Sequence, residues 1–195
     1  DFVLFAMATN MRKDIRMTDM LITNGATINA QCKTGATAMH WAAGLGVTHV
    51  VHRLLVGGAD AMVVDGSGYA ASHVAAQNGH CLTVLLMVSV CGDLMTLRDS
   101  GGRTLLHWAA IKNHVELITA LLTLHASGNT QDGLIRMVDD EYGMTALHWA
   151  AHLCFADACK QLLRFGSDPT IKDKKGRRPL DLAIAKQFQR HYELA

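Results

Sequence analysis

The sequence predicts an all-α fold, a stack of about six small helix-turn-helix repeats in which the first and last act as caps. Three observations carry this reading. His-Trp-Ala-Ala occurs at His40–Ala43, His107–Ala110 and His148–Ala151, and a variant copy reads Ser72-His73-Val74-Ala75-Ala76. The four histidines stand 33, 34 and 41 residues apart, an interval that belongs to serial helix-pair units rather than to one globular core. Half of the residues are hydrophobic and 18% are charged, which supplies a core running along a stack and excludes disorder.

Each repeat reads as helix, tight turn, helix and Gly-containing loop. In the second repeat Thr37 caps the first helix, and Met39, Ala42 and Ala43 give it a narrow apolar face. Gly44-Leu45-Gly46 reverses the chain. Val50, Val51, Leu54 and Leu55 then form a stripe of helical period, and Gly57-Gly58-Ala59-Asp60 ends the second helix. The third repeat has Gly68-Tyr69 before His73, Gln77-Asn78-Gly79-His80 as inner turn and Leu82–Val90 as outer helix. The fourth has Gly102-Arg103-Thr104, His107-Trp108 and Val115–Leu124, and the fifth Gly143-Met144-Thr145, His148-Trp149 and Ala156–Phe165. The boundaries fall near 1–30, 31–63, 64–97, 98–138, 139–171 and 172–195, all within a single domain spanning 1–195.

Both ends read as caps. Residues 1–28 hold a degraded repeat. At the far end Pro179-Leu180-Asp181 restarts the pattern with Asp181 in the histidine position, followed by a helix bearing Lys186, Arg190 and His191. That helix is expected to give the stack a polar outer face. The longer interval before His148 places an insertion at 127–141, which reads equally as a bland loop and as part of a binding side.

The formal net charge is +1, which gives no electrostatic reason to expect nucleic acid or an acidic membrane as partner. Five cysteines without a Cys-x-x-Cys pair point to reduced thiols in a cytosolic setting. The apolar run Leu82–Cys91 is far shorter than the roughly 20 residues of a membrane helix. The chain begins at Asp1 and reads as a segment cut from a longer polypeptide.

Eleven histidines invite catalytic or metal readings. His40, His73, His107 and His148 occupy the repeat position, where the imidazole serves backbone hydrogen bonding, and His80 and His114 occupy the inner turn. His49/His52 and His148/His152 have ligand-like spacing, but neither comes with a carboxylate motif. No phosphate loop or serine elbow is present, and Cys154 and Cys159 read as packing residues. The expectation is therefore no catalysis, no metal and no cofactor.

The order of these positions resembles the ankyrin repeat, with its Gly-x-Thr-Pro-Leu-His-x-Ala-Ala start, over about residues 29 to 187. The Pro of that pattern is replaced by Ala38, Ala71, Leu105 and Ala146. The resemblance implies a protein-binding surface formed by loops and first helices. Trp41, Trp108 and Trp149 on those first helices are then either packing residues or anchors for an extended peptide.

A narrower resemblance is carried by Gly68–His80 (GYAASHVAAQNGH), the preceding TAMHWAAGLG and the later GRTLLHWAAIKNHVELITALLTLHA. Together they look like the N-terminal ankyrin domain of palmitoyltransferases with an Asp-His-His-Cys motif, the tip-growth-defective and huntingtin-interacting enzyme group. This implies a cytosol-facing module of a Golgi or other endomembrane enzyme that recruits substrates through unstructured, Pro-containing segments. The recognition residues it implies are Trp41 and Asn10. The chain itself lacks the catalytic segment and is expected to be a monomer that does not insert into membranes. A generic ankyrin scaffold of a soluble regulatory protein remains the alternative.

Overall fold

The computed structural model describes residues 15–127 and 133–193, with side chains placed for 16–126 and 133–186. The described residues divide into two compact parts, with the boundary between Ser100 and Gly101. Among the described residues the fold is a helical-repeat one whose extended pairing is confined to an isolated bridge between Val64 and Ala70.

In the N-terminal part, α1 (Ile15–Thr23), α3 (Thr48–Val56) and α5 (Cys81–Val90) form an outer row in which each packs on the next. The shorter α2 (Ala38–Gly44) and α4 (Ala71–Gln77) pack together as the inner row. The reason lies in side-chain size. Ala42, Ala43, Ala75 and Ala76 are fully enclosed, and methyl side chains let two short helices approach closely. Val50, Val51, Leu54, Val84 and Met87 fill the layer behind them.

The C-terminal part repeats this plan with α6 (Leu105–Ile111), α9 (Ala146–His152) and α11 (Pro179–Glu193) on the inner side. Behind them lie α7 (Val115–Ser127) and α10 (Ala156–Arg164). Leu105, Leu106, Leu117, Ile118, Leu121 and Leu122 are buried, so this half holds bulkier aliphatic side chains than its partner.

Two elements depart from the sequence reading. The 127–141 insertion contains a one-turn helix, α8 (Gly133–Arg136), because Leu134 is buried and draws the segment onto the core. Residues 128–132 lie outside the described region. After α5 a 3₁₀ turn, Gly92–Met95, likewise forms over a buried Leu94. Leu180 and Ile184 are exposed on the first turns of α11; of Lys186, Arg190 and His191, expected to form a polar outer face, the side chains of the last two lie outside the described residues.

Loop tips of consecutive repeats are tied by backbone. Gly66 N–H donates to Thr34 O at 2.8 Å, Asp140 N–H to Gly101 O at 2.9 Å and Lys174 N–H to Tyr142 O at 2.9 Å. Gly68 is required at such a tip. Its φ is +78° and a Cβ there would lie 2.8 Å from the Ser100 Cβ.

Candidate functional site

Three of the four repeat histidines are wired identically. Thr37 N–H donates to His40 Nδ1 at 3.1 Å, and His40 Nε2 lies 2.9 Å from Tyr69 O. Because Nδ1 accepts a backbone hydrogen, the ring proton sits on Nε2 and is given to the next repeat's loop. His107 does the same between Thr104 and Met144 O (3.1 Å for both contacts), and His148 between Thr145 and Arg177 O (3.2 Å for both). Thr37, Thr104 and Thr145 each close a reciprocal capping box with their histidine. At His73 the residue before the helix is Ala70, which has no hydroxyl, and only the backbone half of the arrangement forms. Its Nε2 meets Leu97 O at 3.2 Å.

Burial pushes His40 and His148 below the usual histidine range, outweighing the carbonyls of Tyr69 and Arg177 that favour the proton. These rings are neutral connectors. Asp181 shows what a carboxylate does in the same slot: it accepts Arg178 N–H at 2.8 Å and also takes the Arg178 guanidinium.

Asp65 and Asp139, joined by Asp173 in the last loop, form a second recurring set. Each carboxylate accepts backbone N–H groups of its own loop: from Ser67 and Tyr69, from Tyr142 and Met144, and from Lys175 and Arg177. The sequence reading missed this set, although Asp65, Asp99, Asp139 and Asp173 follow nearly the same period as the histidines.

The three tryptophans occupy one repeat position and three different environments. Trp41 is 43% exposed. The helix carrying it ends at Gly44, whose carbonyl accepts from Asn78 Nδ2 at 3.0 Å, with His80 Nε2 also 3.0 Å away. These bonds join consecutive inner turns and leave the indole outside them. Trp108 and Trp149 are half-buried and flank Arg103, whose guanidinium carbon lies 5.4 and 5.5 Å from the two ring centres. Trp149 also donates its indole N–H to Asp139 at 2.7 Å and meets the Tyr142 ring edge-on at 5.7 Å. Arg103 pairs with Glu141 at 2.9 Å. Asn10, the other residue implied in peptide capture, lies outside the described residues.

The ligand-like pair His148/His152 is occupied elsewhere: His148 by Thr145 and Arg177, His152 by an edge contact to the Trp149 ring. Among the described residues no group of His, Cys, Asp or Glu is arranged to hold a metal ion, and no helix is long and apolar enough to cross a membrane.

The family model described as ankyrin repeats (3 copies) matches residues 4–92, 46–132 and 73–173. The chain belongs to the ankyrin-repeat family. Within that family it is similar to palmitoyltransferase AKR1 of Lachancea kluyveri, at 30% identity over 161 residues, covering 80% of this chain and 21% of that protein. It is also similar to neurogenic locus notch homolog protein 1 of Xenopus tropicalis, at 33% identity over 164 residues, covering 83% of this chain and 6% of that one. The chain thus spans about a fifth or less of the length of these curated relatives. A chain in the solved complex of the Bd0816 predatory endopeptidase from Bdellovibrio bacteriovorus with immunity protein Bd3460 shares the ankyrin fold. Its TM-score is 0.79 at 24% identity, with 97% of this chain and 94% of that one covered. The ankyrin reading also accounts for the inward role of the four histidines, and it leaves Trp41 as the most exposed of the three tryptophans.

Proposed function

We propose that this ankyrin domain captures unstructured, Pro-containing segments of other proteins and presents them for S-palmitoylation by the membrane-embedded remainder of a parent enzyme. The observation that carries this reading is the exposure of Trp41, set against the engagement of Trp108 and Trp149 with Arg103. A flat, rigid indole is a low-entropy anchor, and a Pro ring stacks on it without needing a backbone N–H partner. Trp108 and Trp149 serve in the same reading as flanking contacts, and Asn10 as a polar partner for the peptide. All six repeats, with the boundaries given above, act as one monomeric module. The likeness to palmitoyltransferase AKR1 supports the parentage. The module then faces the cytosol at the Golgi or another endomembrane.

The likeness to notch homolog protein 1 favours a second reading, a scaffold in a regulatory protein without acyltransferase chemistry. The two separate on a direct titration. A Trp41→Phe chain, which keeps Trp108 and Trp149, is the control. Adding a peptide that ends in Gln-Pro should shift the tryptophan emission of the parent chain, and not that of the variant, with a Kd near the micromolar range, since ordering the peptide offsets much of its contact energy. Unchanged emission across a series of Pro-containing peptides would favour the scaffold reading.

A further inference from the structure

The inner helices of the C-terminal part carry positive charge at a repeat position that is neutral in the N-terminal part. Lys112 and Lys186 occupy the position filled there by Leu45 and Asn78. Lys112 lies one helical turn beyond Trp108, whose carbonyl accepts its backbone N–H at 3.0 Å. Lys186 reaches towards His152. Burial, and after it the charges of Lys186 and Arg177, push that imidazole below the usual histidine range. His152 in turn meets the Trp149 ring edge-on, so one surface runs from Arg103 past the indoles to Lys186. Among the described residues neither Lys112 nor Lys186 pairs with a carboxylate.

The acids beside this surface differ in how firmly they are held. Asp139 and Asp173 are buried and take backbone N–H groups of their own loops. Glu141 is exposed, and its carboxylate accepts from the Arg103 guanidinium at 2.9 Å. A hydrogen bond from the Tyr142 hydroxyl to the same carboxylate raises that phenol above its usual range. Arg103 is held flat between the Trp108 and Trp149 rings, so its position does not depend on Glu141.

We infer that this surface receives an acidic, extended segment of a partner protein, one of whose Asp or Glu side chains replaces Glu141 on Arg103 while neighbouring acids meet Lys112 and Lys186. Glu141 displays the contact in advance. An exposed ion pair is weak, and an incoming carboxylate remakes the same charge-assisted hydrogen bonds. The indoles already hold a guanidinium between them, so they offer positive charge rather than a free platform for a nucleic-acid base. The inference rests on the reading of this domain as a peptide binder, through Trp108 and Trp149 and not through Trp41.

The test is fluorescence anisotropy at low salt with a Pro-free peptide of alternating Glu and Gly carrying a neutral label, against the same peptide with Gln for Glu. The Glu peptide should bind roughly tenfold tighter or more, and the difference should shrink as salt rises. Glu141→Gln should tighten the Glu peptide severalfold and leave the Gln peptide unchanged, a gain that a purely structural ion pair would not give. A chain with Lys112→Gln and Lys186→Gln should bind the Glu peptide severalfold more weakly at an unchanged melting temperature. Trp41→Ala should bind it as the parent chain does, so a failure of Pro-peptide capture at Trp41 is read separately. Equal affinity for the two peptides would overturn the inference, as would a Glu141→Gln chain that binds no tighter than the parent. So would tighter binding of a uridine oligonucleotide than of the Glu peptide.

Discussion

His40 Nε2 stands 2.9 Å from the carbonyl oxygen of Tyr69, 29 residues away in sequence, and this contact recurs wherever a repeat histidine meets the next loop. The bond joins two properties. It ties each repeat to its successor, and it requires an imidazole that is neutral, because Nδ1 already accepts a backbone N–H.

A pH dependence follows from that requirement. His40 and His148 are lowered in the folded chain, first by burial, whereas in the unfolded chain they titrate near 6.5. The unfolded state therefore binds more protons below that value. Their contribution to stability is complete above about pH 6.5 and is lost as pH falls through the folded values. Asp173 behaves separately. Burial alone would raise it, but hydrogen bonds from Arg177 and Lys175 leave it below the usual value of 3.8, so its contribution is lost only at stronger acid. Melting temperatures should fall steadily from pH 7 to pH 5, before the carboxylates titrate. A flat profile over that interval would contradict the neutral-connector assignment.

Removing one connector should be expensive. His107 is fully buried, and His107→Ala leaves the Thr104 N–H and the Met144 carbonyl unpaired beside a cavity. The expected loss is about 2–5 kcal/mol, measured by urea denaturation. Asp181→Ala, at the same repeat position but with its partner Arg178 exposed, should cost distinctly less.

Arg103 makes a prediction about shape rather than charge. Its side chain is 18% exposed and lies between two indoles while pairing with Glu141. Arg103→Lys keeps the charge but loses the planar stack, at a cost of about 1–2 kcal/mol. Melting should drop by roughly 2–4 °C per kcal/mol in a chain of this size. Tryptophan emission should shift as Trp108 and Trp149 become wetter, and an unaltered spectrum would contradict the stacked arrangement.

The repeat order, the buried histidines and the apolar stripes are legible in the sequence because each is set by a residue type at a fixed interval. The roles of the tryptophans are not. Trp41, Trp108 and Trp149 read identically along the chain, and what separates them is the residue preceding the capping threonine. That residue is Arg103 in the fourth repeat, where it stacks on both neighbouring indoles, and Ala36 in the second, where a methyl group cannot. Helix α8 stayed hidden for a similar reason: one buried leucine in a polar insertion has no periodicity to reveal it. The left-handed turn at Cys154 keeps the repeat interval of Gly46, Gly79 and Asn113, and only its residue type hides it.

Trp41 remains the decisive residue. Melting and peptide affinity measured on the same Trp41→Ala protein test the account most directly. A substantially exposed indole predicts a melting temperature within a few degrees of the parent chain and a loss of at least tenfold in affinity for a Pro-containing peptide. A loss of the ~3–5 kcal/mol expected for a buried tryptophan, or peptide affinity that is unchanged, would contradict it.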